Sequence, residues 1–196
     1  MMMLESKVLR AGVVVASALV LTACAAKRSD AVTYHDPVMD FSLIRSVAVV
    51  PMENLTADRN AGEIVRDVLM TMLQATGAVY VVPPGEVGRG LSRVSPAQES
   101  TPTPEEVVEL AANVGADAVI TGAVLEYGQA RSGTATANLV TITLKMMEGE
   151  TGRVVWSASS TKGGVTAGDR LVGGGGRPMA GVTEAAVQDL LDKLFQ

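Results

Sequence analysis

Apolar positions in this chain fall into short runs and stripes of two periods. The first run, Ala11 to Thr22, follows Lys7 and Arg10 and is 12 residues long. That is too short to cross a bilayer, which needs roughly 20 residues. Residues 25–45 are mixed and polar. Ser46-Val47-Ala48-Val49-Val50-Pro51 is then a compact apolar run closed by proline, which predicts a buried strand. Asn54 to Arg59 reads as a loop. Asn60 and Glu63 have capping-box spacing. Behind them Ile64, Val65, Val68, Leu69, Met72 and Leu73 form one helical stripe, ended by Gly77. Val79-Tyr80-Val81-Val82 predicts a second strand stopped by Pro83-Pro84, and a short helix is expected over Glu86 to Arg93.

Thr103-Pro104-Glu105-Glu106 is a strong helix start, with a cap, a proline at the first helical position and Glu106 completing the box. Its acidic pair suits the positive end of the helix dipole, which explains it without catalysis. Val107, Val108, Leu110, Ala111 and Val114 give the buried stripe, and Gly115 ends it. Asp117 to Tyr127 predicts a long strand and Gly128 to Gly133 a turn. Val140 to Met146 alternates strictly, so Val140, Ile142, Leu144 and Met146 should face a core and Thr141, Thr143 and Lys145 the other side. Glu148 to Gly152 predicts a hairpin loop. Val154, Trp156 and Ala158 should share one face of the returning strand. Gly163 to Gly176 is glycine-rich, and a last helix is expected from about Thr183 to Leu194. The order β-α-β-α-α-β-β-β-α predicts an α/β fold. A mixed sheet carries helices packed on it, with β/α units first, then an antiparallel meander and a C-terminal helix.

The opening run owes its meaning to the residues on either side of it. Basic residues, a short apolar stretch and small residues before a cut mark a secretory signal. Cys24 directly after Leu21-Thr22-Ala23 makes that signal resemble a bacterial lipobox, which implies cleavage between Ala23 and Cys24 and acylation of Cys24. Cys24 is the only cysteine, so no disulfide can form within the chain. Acylation also removes an exposed thiol. The expected division is a signal peptide over 1–23, a lipidated N-terminus and tether over 24–45, and a domain over 46–196. Fully extended, 20 tether residues reach at most about 70 Å. Ala25 follows the cysteine. An Asp there often signals inner-membrane retention in such lipoproteins, so its absence favours the outer membrane, with the domain facing the periplasm.

Charge and composition narrow the activity. The chain has 16 basic and 21 acidic residues, and losing Lys7, Arg10 and Glu5 with the signal leaves a net charge of −6. No cluster of Lys and Arg and no aromatic platform is present, which argues against nucleic acid. The single histidine, His35, lies in the expected tether, where it cannot hold a catalytic geometry. Ser159-Ser160-Thr161-Lys162 has the S-x-x-K spacing of penicillin-recognising enzymes. On a strand, however, positions three apart point to opposite faces. Gly173-Gly174-Gly175-Gly176-Arg177-Pro178 lacks the GK[ST] of a phosphate loop, and Gly85, Gly88 and Gly90 run in reversed dinucleotide order. His35, Asp36 and Asp40 are a weak metal cluster without cysteine support. No catalytic residue, cofactor, metal or small-molecule substrate is expected.

Three segments carry a family resemblance: Val47-Ala48-Val49-Val50-Pro51, Gly115-Ala116-Asp117-Ala118-Val119-Ile120-Thr121-Gly122-Ala123-Val124, and Glu150-Thr151-Gly152-Arg153-Val154-Val155-Trp156. In this order, behind a lipobox, they resemble the CsgG-like periplasmic lipoproteins and the LpoB-like activators of penicillin-binding proteins that share their architecture. The resemblance spans about residues 46–165 and the last helix. CsgG-like channels insert long membrane hairpins, and a membrane strand needs about 9–11 residues. Neither Gly128 to Ala137 nor Lys162 to Gly181 supplies such a pair. The resemblance therefore implies a pore-less, non-enzymatic adaptor, assembly or secretion-accessory lipoprotein. It would be held at the outer membrane through acylated Cys24, binding an envelope protein or another copy of itself. The alternative is an LpoB-like activator of a penicillin-binding protein. An oligomeric export channel fits less well. The Thr/Ser strand face and the Gly163–Gly176 stretch are the candidate contact surfaces.

Overall fold

Thr33-Tyr34-His35 forms a strand, β1, that pairs antiparallel with residues 156–158. The fold thus begins inside the segment read as a tether, and that reading fails from Thr33 onward. His35 is held rather than mobile. Its Nε2 lies 2.9 Å from the Lys193 carbonyl, and its ring is 5.6 Å from that of Phe41. The polar residues that suggested a linker build turns. Asp36 accepts from the Val38 N–H, and Asp40 accepts from the Ser42 N–H and hydroxyl, fixing a 3-10 turn over Phe41–Leu43.

The computed structural model describes residues 33–133, 135–164 and 176–196. After β1 come β2 (Ser46–Val49), β3 (Glu53–Asn54), α1 (Ala61–Thr76), β4 (Tyr80–Val81), α2 (Pro84–Val94), α3 (Pro104–Val114), β5 (Ala118–Ser132), β6 (Ala135–Glu148), β7 (Val154–Gly163) and α4 (Met179–Leu194). The seven strands form one mixed sheet in the order β1-β7-β6-β5-β2-β4, with β3 pairing β5 beyond the end of β2. β2 is parallel to β4 and β5, while β5, β6, β7 and β1 pair antiparallel. The α/β class, the mixed sheet and the C-terminal helix are as the periodicities predict. Among the described residues no helix is long and apolar enough to cross a membrane.

Two cores lie on the two faces of the sheet. On one face α1 and α4 bury Val47, Val49, Ile120, Ile142, Leu144 and Trp156. On the other, α2 and α3 pack over Ala48, Val50, Val119 and Met147. The Thr103 box forms in full, with Glu106 N–H donating to Thr103 Oγ1 at 3.3 Å and Thr103 N–H to Glu106 Oε2 at 2.7 Å. The Asn60 box does not form. Asn60 is already helical, and its N–H is taken by Asp58 Oδ1. Packing between sheet and α4 also rotates the α1 stripe, burying Ala61, Val65, Leu69, Met70 and Leu73 and leaving Ile64 exposed.

Four further expectations change. The loop after β2 contains strand β3. The expected turn over Gly128 to Gly133 is mostly strand, and the chain reverses at Gly133, whose φ is +62°. A bulge at Val155 puts Val155 and Trp156 against the same core, so Val154 packs with the other cluster. The last helix starts at Met179, one turn before Thr183.

The Gly-Ala-Asp motif is a structural clamp. Asp117 Oδ2 accepts from the Arg45 and Ser46 N–H groups and from the Ser46 hydroxyl, tying the start of β5 to the start of β2. Slight burial opposes its charge, but these hydrogen bonds outweigh it and hold the carboxyl below its ordinary value.

Candidate functional site

The second core stops at Met147 and Val154, so among the described residues no helix lies over part of that sheet face. Alternation from those residues places Thr141, Thr143 and Lys145 of β6 there, beside Ser157, Ser159 and Thr161 of β7. Register adds Tyr34, opposite Ser157 and 43% exposed, and Glu126, opposite Thr141. This is the Thr/Ser face expected from alternation, assembled in one plane. Its hydroxyls bond sideways. Thr141 donates to Glu126 Oε2 at 2.6 Å and lies 3.0 Å from the Thr161 hydroxyl, while Thr143 donates to Ser159 at 3.4 Å. Hydroxyls already paired in this way add little desolvation cost if a partner covers them.

One corner of this face is apolar. A bulge falls between Val124 and Glu126, so Leu125 has no partner on β6 and is 41% exposed. Bulges re-aim side chains, often beside functional sites. Leu55 follows β3, donates its N–H to the Val124 carbonyl at 3.0 Å and is 59% exposed. Thr56, Ala57, Leu125, Glu126, Ala130 and Leu139 line a groove of about 320 Å3 beside them. Neither leucine stood out in the sequence. Leu55 sits in what reads as a loop, and the only signal for the bulge is Val124 beside Leu125, two apolar residues where alternation would give one.

Beyond the ends of β1 and β4, long cations cap the carbonyls that those short edge strands leave free. β1 starts level with Ala158, and the next carbonyl on that edge, Ser159 O, accepts from Lys193 Nζ at 2.9 Å. β4 pairs as far as Val47, and Val49 O accepts from Arg66 Nε and Nη2 at 3.1 and 2.7 Å. Long cations on free edges block edge-to-edge pairing.

The candidate catalytic spacings do not converge. Ser159 belongs to the open face, whereas Lys162 pairs with Asp189 of α4 on the opposite side at 2.6 Å. Gly85, Gly88 and Gly90 lie within α2. Asp36 pairs with Arg153 at 3.5 Å, and no group of three or more His, Cys, Asp or Glu among the described residues could hold a metal. Ala23 and Cys24 lie outside the described residues, as do residues 165–175 of the glycine-rich stretch.

Asp189 also bonds Lys193 at 2.6 Å. Partial burial opposes its ionisation, but the hydrogen bonds from Lys162 and Lys193 outweigh that and bring its pKa to about 2. The buried Ser160 hydroxyl adds a smaller share without forming a full hydrogen bond. A depressed carboxylate stabilises the fold above its unfolded pKa, and that contribution fades as pH falls from about 4 to about 2. Asp189→Asn should therefore cost about 1 kcal/mol at pH 7, discounted for partial exposure. The gap between variant and wild type in urea unfolding should close by pH 2. A gap unchanged between pH 7 and pH 2 would contradict this.

Residues 5–161 match the family model described as "Peptidoglycan-synthase activator LpoB". The chain belongs to the LpoB family. Of the two resemblances read from the sequence, this family model carries the LpoB one. No curated protein matches the chain. Among solved structures, the PelC dodecamer from Paraburkholderia phytofirmans is 21% identical over 83% of this chain and 96% of its own, with a TM-score of 0.56. Lipoprotein GNA1162 from Neisseria meningitidis is 18% identical over 77% of this chain and 98% of its own, with a TM-score of 0.54. The LpoB C-terminal domain from Escherichia coli is 19% identical over 60% of this chain and 81% of its own, with a TM-score of 0.46. At these identities the likeness to PelC and GNA1162 is one of fold.

Proposed function

We propose that this protein is a periplasmic lipoprotein of the outer membrane that activates a peptidoglycan synthase by binding it, and that it catalyses no reaction itself. The observation that carries this reading is the match of residues 5–161 to the activator family. It favours the activator over the more general adaptor or secretion-accessory role. We place the synthase contact at the Leu55–Leu125 corner, the exposed apolar part of a face whose threonine hydroxyls are already paired. Cys24 would hold the protein to the membrane. With β1 in the sheet, only residues 25–32 separate Cys24 from the fold, and eight residues reach at most about 28 Å. The synthase would be engaged close to the membrane surface.

The test uses the full lipoprotein with a purified penicillin-binding protein of the same organism, reading glycan polymerisation from a fluorescent lipid-linked precursor. Wild type should raise the rate several-fold. The double variant Leu55→Asp/Leu125→Asp should lose at least nine-tenths of that stimulation, on the order of 1.4 kcal/mol or more of binding, with an unchanged circular dichroism spectrum. Absence of stimulation with every such synthase would overturn the activator reading. Full stimulation by the double variant would overturn the assigned surface.

A further inference from the structure

Among the described residues, α1 and α4 pack on one face of the sheet, while α2 and α3 cover only part of the other. The uncovered part centres on Lys145, which is exposed and forms no ion pair among the described residues. Ser157, Ser159, Thr143 and Tyr34 surround it in register. The outer side of the α1–α4 layer has the opposite character. Its two cations point inward, Arg66 to Val49 O and Lys193 to Ser159 O and Asp189. Glu63, Asp67, Glu184 and Asp192 remain exposed, and none of them is in an ion pair among the described residues. Between the helices runs a groove of about 340 Å3, lined by Val68, Thr71 and Met72 with Asp67 and Glu184 beside them.

These two surfaces complement each other in charge and in architecture. We propose that the open sheet face of one copy is covered by the α1–α4 layer of a second copy, with Lys145 seated between Asp67 and Glu184. The lysine stem lies along Val68 and Met72 while its ammonium meets the two carboxylates. The neighbour supplies the helix layer that the sheet lacks. Two helices of 16 residues, each about 24 Å long and roughly 10 Å apart, present a footprint of the order of a standard interface, about 800 Å2 a side. The contact is heterologous, so every copy uses both surfaces and the assembly grows into a ring or a row. Leu125 lies one strand over and four residues along from the Lys145 position, roughly 14 Å away by sheet spacings, at the rim of the contact. The inference is independent of the synthase reading.

Charge reversal tests it on the full acylated chain in detergent, by analytical ultracentrifugation at tens of micromolar. Wild type should sediment as multimers of the chain. Lys145→Glu alone and Asp67→Lys/Glu184→Lys alone should each sediment as single copies. An equal mixture of the two should regain the wild-type mass, because each variant now offers the surface that fits the other. A single-copy wild type, multimers that persist in both variants, or a mixture that stays dissociated would overturn the proposal. If either charge variant fails to fold, Ser157→Cys and Thr71→Cys chains are mixed under oxidising conditions. A disulfide between the two is expected, absent from either alone and from the unsubstituted chain, and its failure to form would overturn the proposal.

Discussion

Replacing Gly152 by alanine should lower the unfolding free energy by about 3 kcal/mol, the sum of a left-handed backbone cost and a steric clash. Gly152 has φ of +70°, and a Cβ built on it falls 2.3 Å from the Pro104 carbonyl oxygen. Neither obstacle can give easily. The oxygen belongs to the first residue of α3, fixed by the Thr103–Glu106 box. The Gly152 N–H is held at 2.8 Å by the Glu148 carbonyl. The β6–β7 turn and the start of α3 are therefore pressed backbone to backbone, and the Thr-Gly segment read as a family signature is a packing device. Gly133 is the control. Its φ is +62° but no atom lies within 4 Å of its Cβ position, so Gly133→Ala should cost only about 1 kcal/mol. Urea midpoints at constant slope measure both. Equal losses at the two glycines would show that the contact with Pro104 carries no energy.

The contrast between those glycines marks what was legible in the chain. Caps and periodicities are local, and they predicted α3, the inward face of β6 and the Gly77 and Gly115 helix ends. β1 was not legible, because its stability comes from pairing with residues more than a hundred positions away. Its neighbours Asp36 and Asp40 resemble linker residues for the same reason that they make good turns. Bulges hid in runs. Val154-Val155-Trp156 and Val124-Leu125 each place apolar residues side by side, and only the partner strand reveals which is extra. The candidate site divides along this line. Its hydroxyl rows follow from strict alternation in β6, whereas Leu55 and Leu125 depend on where β3 meets β5. The inward turn of Arg66 and Lys193 follows from sheet edges that the sequence does not display. That turn decides the outward charge of the α1–α4 layer.

Cys24→Ala should move the protein from the membrane to the soluble periplasmic fraction and abolish incorporation of labelled fatty acid. Each acyl CH2 buried in the bilayer contributes roughly 0.8 kcal/mol, and one chain binds only marginally, so stable anchoring needs a second chain or signal. The described part of the chain offers no substitute. None of its helices can span a bilayer, and the net charge of −6 after signal removal gives no attraction to anionic lipid. The consequence for function is separable from folding, because β1 and everything after it lie beyond the substituted position. Cys24→Ala added to the purified synthase should therefore stimulate it as wild type does. In cells it should fail, since acylated Cys24 then no longer tethers the start of β1 within about 28 Å of the membrane. Label incorporated by Cys24→Ala, or its continued sedimentation with membranes, would sink the lipobox assignment. Loss of stimulation in the purified assay would mean that the N-terminus itself belongs to the contact.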